Sequence, residues 1–259
     1  MIQILLALFR RLGLLSALEY VRYWCARCRF YRDNPAFMDV TPGFLAPPLW
    51  WMHDMYGHTS YRQYATSGQE HAEIILGYID AHTDETCVAI TEWGCGLARI
   101  LQHFPDTMIR TGTDYNGEAI EWAGENFPDL TFVKNDMLPP WNISEASQDV
   151  IYAISIFTHL GEATQNAWIK QIAASLKVGG LFIFTVHGDP QPGQLLASEQ
   201  ARFARGEPVY RADVKEGSRL FASYHPDSAV RKIFAHDFTP VAGPCPEMGQ
   251  SLWVMRKKA

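Results

Sequence analysis

Carboxylates stand at three points where an apolar run of the chain stops: Glu92, Asp114 and Asp136. The first of them opens Glu92-Trp93-Gly94-Cys95-Gly96. Glycines let a backbone approach a bound molecule closely, and a helix starting there offers unpaired N–H groups. Asp114 follows Gly96 by 18 residues, with Tyr115 beside it; a carboxylate at that distance can accept both hydroxyls of a ribose. Asp136, in Lys134-Asn135-Asp136-Met137, could receive the exocyclic amino group of a base while Met137 packs on its ring. Two histidines, His159 and His187, also follow apolar runs, where an imidazole can take a proton from an acceptor group. An acid partner, Asp189, would orient His187 and raise its pKa.

The same residues narrow the ligand. A dinucleotide turn wants a third small residue three positions past Gly96, and that place holds Arg99. There is no GxxxxGK[ST] segment to cradle phosphates. Three carboxylates around one partly desolvated crevice would repel a pyrophosphate by several kcal/mol. They suit an adenosine with a cationic head, and S-adenosyl-L-methionine carries a sulfonium, an ammonium and no phosphate. A nicotinamide-dependent oxidoreductase is the competing enzyme reading, opposed by Arg99 and the acids. A catalytically inactive, cofactor-binding partner subunit is the alternative outside enzymes.

The elements that must hold these side chains alternate in period. Residues 69–81 read as a helix, with Ala72, Ile75, Leu76 and Ile79 on one face. Residues 87–93 read as a strand, 97–104 as a helix stopped by Pro105, and 108–113 as a second strand. Asn116 can cap the next helix, which Pro128 ends. Residues 131–134 make a third strand, and 149–156, almost wholly apolar, a fourth covered on both faces. A helix over 163–176 and a strand over 181–186 complete the alternation. Short right-handed crossovers of this kind give a doubly wound, Rossmann-like parallel sheet, with its ligand beyond the carboxyl ends of the strands.

The motifs 92–96, Asp114-Tyr115 and Asp136-Met137 resemble those of class I S-adenosylmethionine-dependent methyltransferases. Residues 152–160, which include Ser155, are similar to the segment after the fourth strand in bacterial small-molecule members. The turn Leu176-Lys177-Val178-Gly179-Gly180 also matches. The likeness is firm over residues 85–188 and looser to 256. It implies an α/β sheet of seven strands whose last strand, over 251–256, is antiparallel, with 238–243 the strand before it. It also implies cofactor contacts from Glu92, Gly94, Cys95, Gly96, Asp114, Tyr115, Asp136, Met137 and Ser155. The implied reaction is methyl transfer to a small-molecule or carbohydrate acceptor, with oxygen the preferred atom. His159 is the first candidate base and His187 the second; no metal is called for.

Composition sets the frame. The 259 residues, 47% hydrophobic and 19% charged, suffice for a buried core. A formal charge of −6 argues against a nucleic-acid partner. Five irregularly spaced cysteines suit a reducing, cytoplasmic setting. Cys25-x-x-Cys28 has zinc-like spacing but no second pair. The charge is uneven: residues 1–32 hold six arginines and one glutamate, net +5, leaving −11 for the rest. An apolar, arginine-flanked helix there would suit either a membrane surface or a protein contact. Residues 1–68 therefore form an N-terminal helical, proline- and aromatic-rich extension. Residues 69–259 form the cofactor-binding domain, with 188–226 a substrate-side insertion. The aromatic stretch 34–64 would either wall a ligand pocket or bind the extension to that domain.

Overall fold

Strands β1 (Ala89–Trp93) and β4 (Gln148–Ala153) sit side by side at the centre of the sheet. Every residue of β1 is buried, as expected of a strand covered by elements on both faces. The computed structural model describes residues 15–83, 89–188, 190, 193–211 and 214–259. Of the arginine-flanked helix expected from the spacing of Leu5, Leu8, Leu12 and Leu15 only Leu15 is described, and Cys87 and Asp189 also lie outside the described residues. Strands β2 (Ile109–Asp114) and β3 (Thr131–Lys134) extend the sheet from β1, and β5 (Leu176–Val186) extends it from β4. At the far side β9 (Gln250–Lys257) is inserted between β5 and β8 (Phe238–Glu247), antiparallel to both. The order β3-β2-β1-β4-β5-β9-β8 reverses between β1 and β4, so the ligand cleft belongs above those two strands.

Helices α1 (Leu15–Arg29), α2 (Asp33–Val40), α3 (Leu49–Tyr56) and α4 (Tyr61–His82) precede the sheet. Helices α5 (Gly117–Asn126) and α6 (Glu162–Ser175) are the crossovers after β2 and β4. One apolar core, including Trp168, Phe182, Phe184 and Trp253, fills one face of the sheet; Ile75, Ile90, Leu101 and Tyr152 belong to the core on the other. The insertion contributes α7 (Ala197–Ala204) and the small hairpin β6 (Val209–Arg211) and β7 (Ala222–Tyr224), and α8 (Asp227–Phe234) leads into β8. No helix among the described residues is long and apolar enough to cross a membrane.

The alternation and the Asn116 cap are as expected: the Asn116 side chain accepts from Glu118 N and Ala119 N. Four elements differ. Strand β5 begins at Leu176 and not at 181, so the segment expected as a turn belongs to the strand. The helix expected over 97–104 is instead a coil of turns ending in a single 3-10 turn, Leu101–His103. Gly96 (φ +50°) and Ala98 (φ +57°) lie in the left-handed region, which no α-helix accommodates. Leu101 N donates to the Glu92 carboxylate at 3.2 Å. The fourth strand stops at Ala153 rather than running to 156, because the chain turns at Ser155 (φ +63°). Helix α4 begins eight residues before the expected 69, at Tyr61, because Ser60 caps it by accepting from Gln63 N.

The extension folds as short helices between its prolines. Tyr23 of α1 packs edge-on against Trp50 of α3, centroids 5.0 Å apart. The buried Asn34 side chain donates to Thr59 O at 2.8 Å and accepts from Tyr61 N at 3.0 Å, tying α2 to the start of α4.

Candidate functional site

The carboxyl ends of β1, β2 and β4 open into one cleft. It has two parts that share Gly94, Asp114, Tyr115, Ile156, His159 and Gly217. The inner part is lined further by Asp136, Met137, Leu160 and Trp168. The outer part runs past Glu92, Cys95, Gly96 and Ser155 to a wall contributed by α3 and α4. Every residue expected to touch the cofactor therefore borders this cleft, as do both candidate bases.

Backbone geometry builds the floor. Gly94 has φ +80° and its N–H donates to Thr113 O at 2.7 Å. A Cβ there would overlap the Ile156 side chain, so only glycine fits. A Cβ at Gly96 would come within 3.0 Å of Met55 Sδ and 3.1 Å of the Tyr56 hydroxyl. Trp93, bulky beside the glycines, turns away into the core against Trp168, centroids 4.7 Å apart. Asp114 is buried and fixed by two donors, Gly96 N at 2.9 Å and Asn116 N at 2.8 Å. Burial raises its pKa, and these backbone donors oppose the rise. Each carboxylate oxygen keeps a lone pair for a ligand hydroxyl. Met137 is half-buried, its carbonyl taking the Trp168 indole N–H at 2.8 Å, while Asp136 is exposed at the pocket rim.

The electrostatics depart from the expected triple negative charge. Glu92 is 4% exposed, and its carboxyl group accepts from the Tyr152 hydroxyl at 2.9 Å. Burial pushes its pKa up to about 8, so the group is mostly protonated at neutral pH and contributes shape and hydrogen bonding there. Cys95 is a buried thiol whose pKa burial pushes well up; its sulfur fills the space over Gly112.

His159 sits where the two parts of the cleft join. Its Nδ1 lies 3.0 Å from Phe221 O. A carbonyl only accepts, so Nδ1 carries the hydrogen and Nε2 the lone pair. Burial lowers the pKa, with the Arg219 charge adding to it, so the neutral, basic form prevails. His187 differs from expectation. Its pKa is not raised but held down to about 4, first by burial and then by His159 and Arg211. Its ring lies against Tyr224, centroids 5.2 Å apart.

Further lining residues come from the aromatic stretch, from the insertion and from outside both. Tyr56 accepts from Leu97 N at 3.1 Å and underlies the Arg99 guanidinium at 5.1 Å. Arg99 also donates to Ser67 Oγ at 3.0 Å and to His71 Nδ1 at 3.3 Å. His58 and His71 are both held down to about 4, chiefly by burial and then by Arg99. Gln250 of β9 donates to Ser155 Oγ at 2.7 Å. From the insertion, Gly217 N donates to His159 O at 2.9 Å and Gly217 O accepts from the Tyr115 hydroxyl at 3.0 Å. These bonds lay the Gly217 loop across the inner pocket, with Met137 and Tyr115 against its backbone.

Strand order, glycine floor and acids at the strand tips define a Rossmann-like methyltransferase fold. Residues 90–180 match the family model described as a methyltransferase domain. Among solved structures the chain is similar to CalS10, an amino pentose methyltransferase of Micromonospora echinaspora. The identity is 15%, the TM-score 0.56, and the match covers 76% of this chain and 94% of that one. It is also similar to the glycopeptide N-methyltransferase MtfA (13%, TM-score 0.52, covering 74% and 93%). Magnesium protoporphyrin IX methyltransferase of Synechocystis gives 13% and 0.53, covering 76% and 86%. At these identities the likeness is one of fold. No curated protein matches the chain in sequence.

Proposed function

We propose that the chain transfers a methyl group from S-adenosyl-L-methionine to a hydroxyl of a small molecule or glycan unit. The observation that carries this reading is Asp114: a buried carboxylate pinned at the tip of β2, between the glycine floor and the pocket of Asp136 and Met137. The floor keeps its backbone accessible because side chains at either glycine would collide with Ile156 or with Met55 and Tyr56. Asp114 would hold the ribose, Asp136 and Met137 the base, and Gly94 to Gly96 with Ser155 the amino-acid end. When bound, the cofactor supplies an electrophilic methyl carbon. The solved relatives are titled as methyltransferases bound to this cofactor or its product, which supports the choice over a nicotinamide.

The protein's own contribution is placement, exclusion of water and a base. Ile156, Trp168 and the Gly217 loop exclude water from the inner pocket. His159, neutral and with Nε2 unprotonated, takes the acceptor proton. His187 borders both this cleft and a second cavity between α7 and the β8–β9 hairpin, which gives the acceptor its room. Residues of α3 and the start of α4 act as a cap over the outer cleft, and the insertion within 188–226 as its acceptor side. The exposed free thiols of Cys25 and Cys28 support a reducing, cytoplasmic setting.

Calorimetric titration tests the cofactor. S-adenosylmethionine and S-adenosylhomocysteine should bind, Asp114→Asn should weaken both, and NADH should give no heat; tight NADH binding overturns the reading. His159→Ala should lower methyl transfer at unchanged cofactor affinity, and full turnover in that variant removes the base.

A further inference from the structure

The outward face of α1 is built against the ordinary rule for a surface helix. Its single acid, Glu19, points inward, 9% exposed, and pairs with Arg219 and Arg22. Tyr20, Val21 and Trp24 point outward at 55%, 58% and 43% exposure. Trp50 of α3, 41% exposed, continues the patch, with Tyr20 6.1 Å from Trp24 and 6.2 Å from Trp50 between ring centroids. The Arg27 guanidinium lies over Trp24 at 5.0 Å, and the exposed Arg29 and Arg32 follow it in the chain. Two acids, Asp33 and Asp39, begin only with the next helix.

We infer that α1 docks this aromatic and cationic face on an anionic phospholipid surface. Tryptophan, tyrosine and arginine are the side chains that partition to the headgroup region, rings among the acyl boundary and guanidinium groups on phosphate. Charge selects the partner. The segment to residue 32 carries net +5 while the rest carries −11, so an acidic bilayer attracts this end and repels the body. A second copy is disfavoured because a two-fold contact through α1 would set the two +5 segments against each other. The docked helix also grips the cleft, since Glu19 on its buried face holds Arg219, two residues from Gly217. The inference rests on the exposed face of α1 and α3 and on the charge of residues 1–32 in the sequence, and stands whatever the acceptor.

Vesicle flotation of the full chain tests it. The protein should float with phosphatidylcholine vesicles containing phosphatidylglycerol, stay behind with pure phosphatidylcholine, and be released by high salt. Arg27→Ala and Arg29→Ala should each weaken binding about fivefold, and Trp24→Ser should weaken it comparably. Because these side chains are exposed, the melting temperature and cofactor affinity in solution should not move. Absence of flotation, equal binding to neutral vesicles, or a dimer in light scattering that Trp24→Ser dissociates would each overturn the inference.

Discussion

The two walls of the cleft are made by different means. The sheet side is backbone: Gly94, Gly96, Ala98 and Ser155 all hold positive φ, and Asp114 is locked by main-chain N–H groups. The cap side is side chains reaching from distant elements: Tyr56 and Arg99, His71, the Glu19–Arg219 pair and the Tyr115–Gly217 bond. A wall of constrained backbone is rigid and intolerant of change. A wall of side-chain contacts, each worth little alone, can loosen or be retuned. The first suits an invariant cofactor and the second an acceptor and its entry.

If that contrast holds, mutational effects should fall from floor to cap. The largest is expected at Gly94→Ala, where left-handed backbone and overlap with Ile156 combine; cofactor Kd should rise by roughly a hundredfold or more, by calorimetry. Wild-type affinity there would break the comparison. Asp114→Ala comes next. It strands two backbone donors at about 1–3 kcal/mol each, and should lower the urea midpoint as well as abolish ribose recognition.

On the cap side Arg219→Ala should cost less, a three- to tenfold loss of cofactor affinity, with Glu19→Ala non-additive by about 1 kcal/mol in a double-mutant cycle. Strict additivity would show that the pair does not brace the Gly217 loop. The smallest effect is one of pH. Glu92 binds its proton more tightly folded (about 8) than unfolded (4.5). Its contribution to stability is therefore full below pH 4.5 and lost progressively as pH rises to about 8. Glu92→Gln keeps the acceptor for Tyr152 and Leu101, so its melting temperature should overtake wild type as pH approaches 8 and flatten the slope between.

The floor was legible because strand alternation places every strand tip at one edge, so acids spaced through the sequence converge without further information. The burial of Glu92 was not: its position at a strand tip is visible in sequence, whereas the Tyr152 hydroxyl and Leu101 N–H that enclose it depend on packing between β1, β4 and the coil. That coil misled for a related reason, since apolar spacing over 97–104 fits a helix and only the left-handed Ala98 forbids it. The cap-side wall was nearly illegible. The rings of 34–64 suggest a pocket wall as one of two readings, but His71 lies beyond that stretch and nothing local says that α4 folds back over the end of β1. His187 was misjudged because a neighbouring acid in sequence says nothing about burial against Tyr224.

The position of β9 bears on how the molecule is made. Since this strand slots between β5 and β8, a chain still emerging from the ribosome leaves β5 with an unpaired edge until β9 is out. Gln250 reaches Ser155 only then. A nascent polypeptide halted short of β9 would present a long hydrophobic border to its neighbours in the polysome.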